Sequence, residues 1–254
     1  MTHLEIFSAL ESNEFYPYYQ PIVNTKTHSI HSYEILARWK RSDKKVVMPL
    51  EFLRVAENYS ISHLVTLAVL TKALNDNAKT PITLNVNLSP NEFLVPTLFE
   101  SLEELIEGYN YPKSKITLEL TEGECVGGWK ELKNKVHYAV GTGWRCSLDD
   151  YGVKNQTLQR LTELPVCQFK LDRSLLPEIT GIQDHTAKKK CEFIRSLSNL
   201  SNNLGIEFVI EGVENSTQAS FLNSLGVSLH QGYFYSKPLP IEETLQFPFQ
   251  LVSA

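Results

Sequence analysis

Glu34, Asn87, Glu119, Asp149, Lys170, Glu211 and Gln231 each close a short apolar segment at the point where a β-strand should stop. Four of the seven are acids, and Asp150 adds a fifth. Two unit charges about 4 Å apart repel by roughly 4 kcal/mol at an effective dielectric near 20. Carboxylates gathered in one pocket therefore need cations, and all-oxygen ligands of this kind suit a divalent-metal site. The residues are spread over nearly 200 positions, so no local helix geometry can assemble them. A closed barrel of mostly parallel strands can, because its site is built at the C-terminal ends of the strands.

The elements that would position them follow from the hydrophobic pattern. Thr2-His3-Leu4-Glu5 reads as a capping box opening a helix through about Leu10. Tyr18 to Val23 and Ile30 to Arg38 are strand-like and separated only by residues 24–29. Parallel neighbours need a crossover of a dozen or more residues, so this pair, if it pairs, is antiparallel. Helices are expected over Leu50–Asn58 and Ile61–Asn75, before a strand Ile82–Leu88 in which Leu84, Val86 and Leu88 alternate with Asn85 and Asn87. Thr97 to Glu100 is a second capping-box sequence, opening a helix that Gly108 can end. Strand Ile116–Thr121, helix Trp129–Val140 and strand Trp144–Asp149 come next. Strand Val166–Leu171 sets Gln168 and Lys170 on one face, and helix Thr186–Leu204 stops at Gly205. Strand Ile206–Glu211, helix Thr217–Leu225 and strand Val227–Gln231 complete an alternation that defines an α/β fold with a parallel sheet.

Bulk properties agree. The 254 residues are close to the ~250 of a (β/α)8 barrel, which favours one domain over residues 1–254. A net charge of −5 argues against a DNA or RNA binder. The Lys188-Lys189-Lys190 run reads as the solvated face of a helix. Cys125, Cys146, Cys167 and Cys191 are far apart and form no Cys-x-x-Cys pair, which argues against a zinc or disulfide framework. No membrane span or signal peptide is expected, and the compartment expected is the cytoplasm.

The segments Tyr33-Glu34-Ile35-Leu36-Ala37-Arg38-Trp39, Asn87-Leu88-Ser89, Glu119-Leu120-Thr121-Glu122, Asp149-Asp150-Tyr151-Gly152, Lys170-Leu171-Asp172-Arg173-Ser174, Glu211-Gly212-Val213-Glu214 and Gln231-Gly232-Tyr233 occur in that order. Together they resemble the motif series of EAL-domain phosphodiesterases, which hydrolyse the bacterial second messenger cyclic di-GMP. The resemblance covers about residues 16–240. It implies a TIM-like (β/α)8 barrel with one antiparallel strand, and hydrolysis of cyclic di-GMP to linear pGpG with two Mg²⁺ or Mn²⁺ ions.

By that resemblance Glu34, Asn87, Glu119 and Asp149 hold one metal and Asp150 serves a second. Lys170 and Glu211 lie by the attacking water, with Glu211 the favoured base. Gln20, Leu36, Arg38, Gln231, Ser236 and Pro238 match substrate-lining positions, Arg38 as a phosphate contact. Glu122 matches the anchor of the loop after Asp150, while Asp172 and Glu214 are candidates to orient Lys170 and the metal ligands. Taken singly, Glu122 and Glu214 would read as surface acids and Asn87 as a helix cap. His230 reads as structural, and Trp39 and Tyr33 as packing. Ile35 and Cys167 depart from the family pattern, and Tyr151 to Leu158 departs more, with Lys154 in place of a glycine. That loop raises a second reading: a weak or inactive barrel that binds cyclic di-GMP or a protein partner. The family also forms homodimers.

Overall fold

The computed structural model describes residues 1–153, 158–176 and 185–244. The strands are β1 (Phe15–Asn24), β2 (Ser29–Lys40), β3 (Val46–Val47), β4 (Leu84–Leu88), β5 (Ile116–Leu120), β6 (Arg145–Tyr151), β7 (Gln168–Leu171), β8 (Glu207–Ile210) and β9 (Leu229–Gln231). The helices are α1 (His3–Glu11), α2 (Pro49–Asn58), α3 (Ser62–Asp76), α4 (Leu98–Gly108), α5 (Gly128–Gly141), α6 (Leu158–Glu163), α7 (His185–Leu204), α8 (Ser216–Ser224) and α9 (Ile241–Thr244). The strands run β1-β9-β8-β7-β6-β5-β4-β2, and β1 pairs back onto β2 to close a TIM-like barrel; β3 sits outside on β2. All neighbours in the ring are parallel except β1, which is antiparallel to both β2 and β9.

The reversal of β1 has a local cause. Asn24 Oδ1 accepts hydrogen bonds from the backbone of Lys26 and Thr27, and His28 adopts a left-handed φ of 53°. This tight turn leaves no room for a crossover helix. It pairs Gln20 with Glu34 and Tyr18 with Leu36.

The main core lies between the strands and the surrounding helices. Helix α4 shows how the sequence builds it: Leu98, Phe99, Leu102 and Ile106 form one buried stripe. Burying each such side chain contributes about 1.5–3 kcal/mol. Inside the barrel a separate cluster of Ile22, Val209 and Leu229 lies on the strand faces that also carry Gln20, Glu211 and Gln231.

Several boundaries differ from expectation for identifiable reasons. The Thr2–Glu5 capping box forms, with both reciprocal bonds in place. The Thr97–Glu100 box does not, because Thr97 already has helical dihedrals (φ −90°, ψ −2°) and its side chain makes no cap bond. Helix α4 includes Gly108, and the left-handed residue that follows is Asn110 (φ 49°). Gly205, with φ 67°, does terminate α7. Lys188 and Lys189 face solvent, whereas Lys190 Nζ donates to the carbonyls of Ser174 (2.8 Å) and Leu176 (3.1 Å). All four cysteines are free thiols. Within the departing loop, residues 154–157 lie outside the described residues. No described helix is long and apolar enough to cross a membrane.

Candidate active site

The C-terminal ends of the parallel strands bring Asn87, Glu119, Asp149, Lys170, Glu211 and Gln231 to one rim, whereas Glu34, expected at a strand end, reaches it from the middle of β2, which continues to Lys40. Period-two alternation explains most of these placements, since the flanking Val86, Leu88, Leu118, Leu120, Phe169 and Leu171 are buried in the outer core. Lys170, fully shut off from solvent, sits at the centre. Its ammonium lies 3.0 Å from Glu34 Oε2, 3.2 Å from Glu119 Oε2, 2.9 Å from Asp149 Oδ1 and 2.7 Å from Glu211 Oε1. Burial alone would drive its pKa down, but the surrounding carboxylates outweigh that and hold it well above the ordinary lysine value.

The acids respond differently to the same pocket. Burial raises Glu119 and Asp149, with Lys170 opposing. Glu34 goes the other way: burial is outweighed by Lys170 and by amide donors from Gln231 and Asn87. Burial pushes Glu211 up to about 8, Lys170 pulling down while Asp149 and Glu34 push further up.

Asp150 needs a special backbone to join its neighbour. Successive strand residues point to opposite faces, so Asp149 and Asp150 cannot share a pocket in a regular strand. Here the β6–β7 register shifts between Leu148 and Tyr151, and Asp150 takes a left-handed φ of 49°. Such a conformation costs roughly 1–2 kcal/mol for a residue with a Cβ. It turns Asp150 back toward Asp149 and Glu211. Burial and the adjacent Asp149, with a hydrogen bond to Glu122, push Asp150 up to about 9. Glu122 thus touches Asp150 itself.

Two carboxylate groups result, Glu34–Glu119–Asp149 and Asp149–Asp150–Glu211, each offering oxygens within 4.8 Å of one another. Asn87 Nδ2 donates to Glu34 Oε1 (2.6 Å) and Gln231 Nε2 to Glu34 Oε2 (2.7 Å). This leaves Asn87 Oδ1 and Gln231 Oε1 buried with no hydrogen-bond partner. Two orphaned carbonyl oxygens among carboxylates are a donor set that fits a hard divalent cation and its waters.

A cleft of about 290 Å³ opens over this rim, lined by Gln20, Leu36, Asp150, Glu211, Gln231 and Tyr233 among others. Gln20 Nε2 donates to the Ser236 carbonyl at 3.3 Å, tying the segment that carries Pro238 to β1. Arg38 and Pro238 are not part of the cleft wall. The Arg38 guanidinium lies 5.2 Å from the Tyr18 ring centroid, and Lys40 stands over both Tyr18 and Tyr16. Among the described residues Asp172 does not pair with Lys170; its carboxylate caps Ser174 (2.9 Å) and lies in hydrogen-bond contact with Asp150. Glu214 is exposed on the cleft edge, and the bond its residue makes is from its backbone to Gln218. His230 is buried on the opposite face, with Nδ1 2.8 Å from the Tyr235 hydroxyl. Trp39 and Tyr33 are packed in the core. Sequence reasoning gave no role to Tyr18 or Asn85; alternation with Gln20 and Asn87 is the signal that places both on the inner faces.

The sequence profile described as "EAL domain" matches residues 4–238, nearly the whole of this acid-rimmed barrel. The chain belongs to the EAL domain family. It is 30% identical over 249 residues to the cyclic di-GMP phosphodiesterase RocR of Pseudomonas aeruginosa, covering 96% of this chain and 62% of that protein. The probable cyclic di-GMP phosphodiesterase PdeG of Escherichia coli is 25% identical over 91% of this chain and 46% of its own length. The chain thus spans less than two thirds of these curated relatives. Among solved structures, the EAL enzyme Bd1971 in its cAMP and cyclic-di-GMP bound form has a TM-score of 0.84 at 29% identity, over 96% of this chain and 67% of that one. An EAL domain protein from Listeria monocytogenes has a TM-score of 0.82 at 26% identity, over 97% of both chains.

Proposed function

We propose that this chain is a divalent-metal-dependent phosphodiesterase that opens cyclic di-GMP to linear pGpG. The observation that carries the reading is the pair of carboxylate groups sharing Asp149, with the orphaned oxygens of Asn87 and Gln231 beside them. The names of RocR and PdeG and the bound nucleotide of Bd1971 support the choice of substrate.

Glu34, Asn87, Glu119 and Asp149 would hold one Mg²⁺ or Mn²⁺, and Asp150 a second. Such ions, when bound, polarise a phosphate oxygen and lower the pKa of a coordinated water. The protein's own groups do the rest. Glu211, beside Lys170 and open to the cleft, takes the proton of the attacking water. Lys170 opposes the burial penalty on the crowded carboxylates and holds them in place. Arg38 binds a phosphate through its fork of donors. Gln20 and Leu36 form the cleft wall on which the ligand lies, with Ser236 and Pro238 on the adjoining segment.

The test is incubation of the purified chain with cyclic di-GMP and Mg²⁺ or Mn²⁺, following pGpG by chromatography and ligand binding by calorimetry. Turnover that disappears in Glu34→Ala is the expected result. Tight binding with no pGpG would overturn the enzyme reading in favour of a receptor.

A further inference from the structure

Beneath Glu119 the barrel interior is polar where a packed barrel would carry branched apolar side chains. Asn85 Nδ2 spends both of its hydrogens there, one on Glu119 Oε1 (2.7 Å) and one on Gln168 Oε1 (2.9 Å). Gln168 Oε1 also accepts from Ser147 Oγ (3.3 Å), and its Nε2 donates to Glu207 Oε2 (3.0 Å). Glu207 is held in turn by His31 (3.2 Å) and Arg145 (3.4 Å) at the N-terminal mouth of the barrel. Asn85, Gln168, Ser147 and Glu119 are all buried. A hydrogen-bonded column thus runs from the rim to the opposite end of the barrel.

We infer that Asn85, clamped by Gln168, is a positioning residue for Glu119 that fixes which carboxylate oxygen meets the divalent cation. The inference rests on the metal-site reading above. Glu119 Oε1 is taken by Asn85, whereas Oε2 is turned toward the space shared with Glu34 and Asp149, as their common contact with Lys170 shows. With Oε1 tethered by Asn85, the carboxylate is held so that Oε2, which also meets Lys170, is the oxygen facing the other acids. A carboxylate without that tether can rotate or bind through both oxygens, which the strict octahedral geometry of Mg²⁺ tolerates poorly and the looser shell of Ca²⁺ accepts. Packing alone does not account for Asn85. Its own Oδ1 is buried without a partner, a penalty that leucine, of similar size, would avoid.

The experiment measures Mg²⁺, Mn²⁺ and Ca²⁺ affinity by calorimetry on the full chain without nucleotide, at a temperature where circular dichroism shows each variant folded. Asn85→Leu is expected to weaken Mg²⁺ binding by about 10–100-fold, the usual effect of losing a ligand's hydrogen-bond partner. Ca²⁺ binding should fall less, so that selectivity for Mg²⁺ narrows. Asn85→Ser, too short to reach Glu119, serves as the second variant should the leucine chain not fold. In a Glu119→Gln background the Asn85 change should have no further effect. A folded variant with Mg²⁺ affinity within twofold of the parent would overturn the inference while leaving the metal site standing. So would an equal loss in the Glu119→Gln background. A parent chain that takes up none of the three ions would remove the metal reading itself.

Discussion

Lys170→Met removes the ammonium that, among the described residues, touches Glu34, Glu119, Asp149 and Glu211, and keeps a side chain of similar length. Each contact is 3.2 Å or shorter, and the lysine is wholly inside. Stripping one partner from a buried ion pair costs about 3–5 kcal/mol, because the remaining charge is left uncompensated. Four carboxylates share the loss, and they limit it by taking up protons, so this range applies to the cluster as a whole. For a chain of this size about 1 kcal/mol corresponds to roughly 2–4 °C in Tm, so a fall on the order of 10 °C is expected in EDTA. Divalent ions should restore much of it. A ligand at a hundred times its Kd stabilises the folded state by about 2.7 kcal/mol. The variant should also bind the ion more tightly than the parent, since the competing ammonium is gone. Thermal scans in EDTA and in Mn²⁺ read both effects. A fall under about 2 °C, or a fall that Mn²⁺ leaves untouched, would refute the placement of Lys170 as the cluster's internal counter-ion.

Gly232→Ala should destabilise the chain by about 1–3 kcal/mol, because a Cβ there would fall on the Val213 backbone; urea unfolding measures it. Glu92 is buried beneath the Ser89 turn, and burial raises its pKa above the ordinary glutamate value despite donors from Ser89 and Thr66. A raised folded-state pKa means that stability is full below about pH 4.5 and is lost as pH rises through the folded value. Glu92→Gln should therefore gain on the parent between pH 4.5 and 7, and urea midpoints that run parallel across that window would count against it. Lys40→Gln combined with Lys72→Gln thins the cationic strip over Tyr16 and Tyr18 next to Arg38. On a chain of net charge −5 this should lower kcat/KM for a dianionic nucleotide about tenfold at low salt, kcat being unchanged and the difference vanishing at high salt. A salt-independent ratio would show that no steering takes place.

The barrel was legible because two kinds of signal were local: Leu84, Val86 and Leu88 alternate with Asn85 and Asn87, and residues 24–29 are too few for a crossover. Boundaries that depend on backbone state were not. Thr97 has the right side chain for a cap and the wrong dihedrals, and Asn110 rather than Gly108 takes the left-handed turn. Helix α6 is a six-residue segment with little periodicity to read. For the site, strand-end residues could be found because closure of the ring dictates where they go. Asp172 and Glu214 follow such residues closely, yet chain proximity does not set a rotamer, and among the described residues neither pairs with Lys170. The contact between Asn85 and Gln168 is not legible in either segment, because depth within a barrel is set by strand tilt and stagger, which no single segment encodes.

The reversed first strand also sets a timetable for synthesis. Ring closure requires Ile22 to meet Gln231, and Glu34 receives its Gln231 amide from 197 residues downstream. At a ribosomal rate of about 5–20 residues per second, the opening hairpin waits roughly 10–40 s for its last neighbour. During that interval one flank of β1 is an unsatisfied edge and the acids already made lack their full set of partners. A nascent chain stalled before β9 should therefore be the form that chaperones hold and proteases cut.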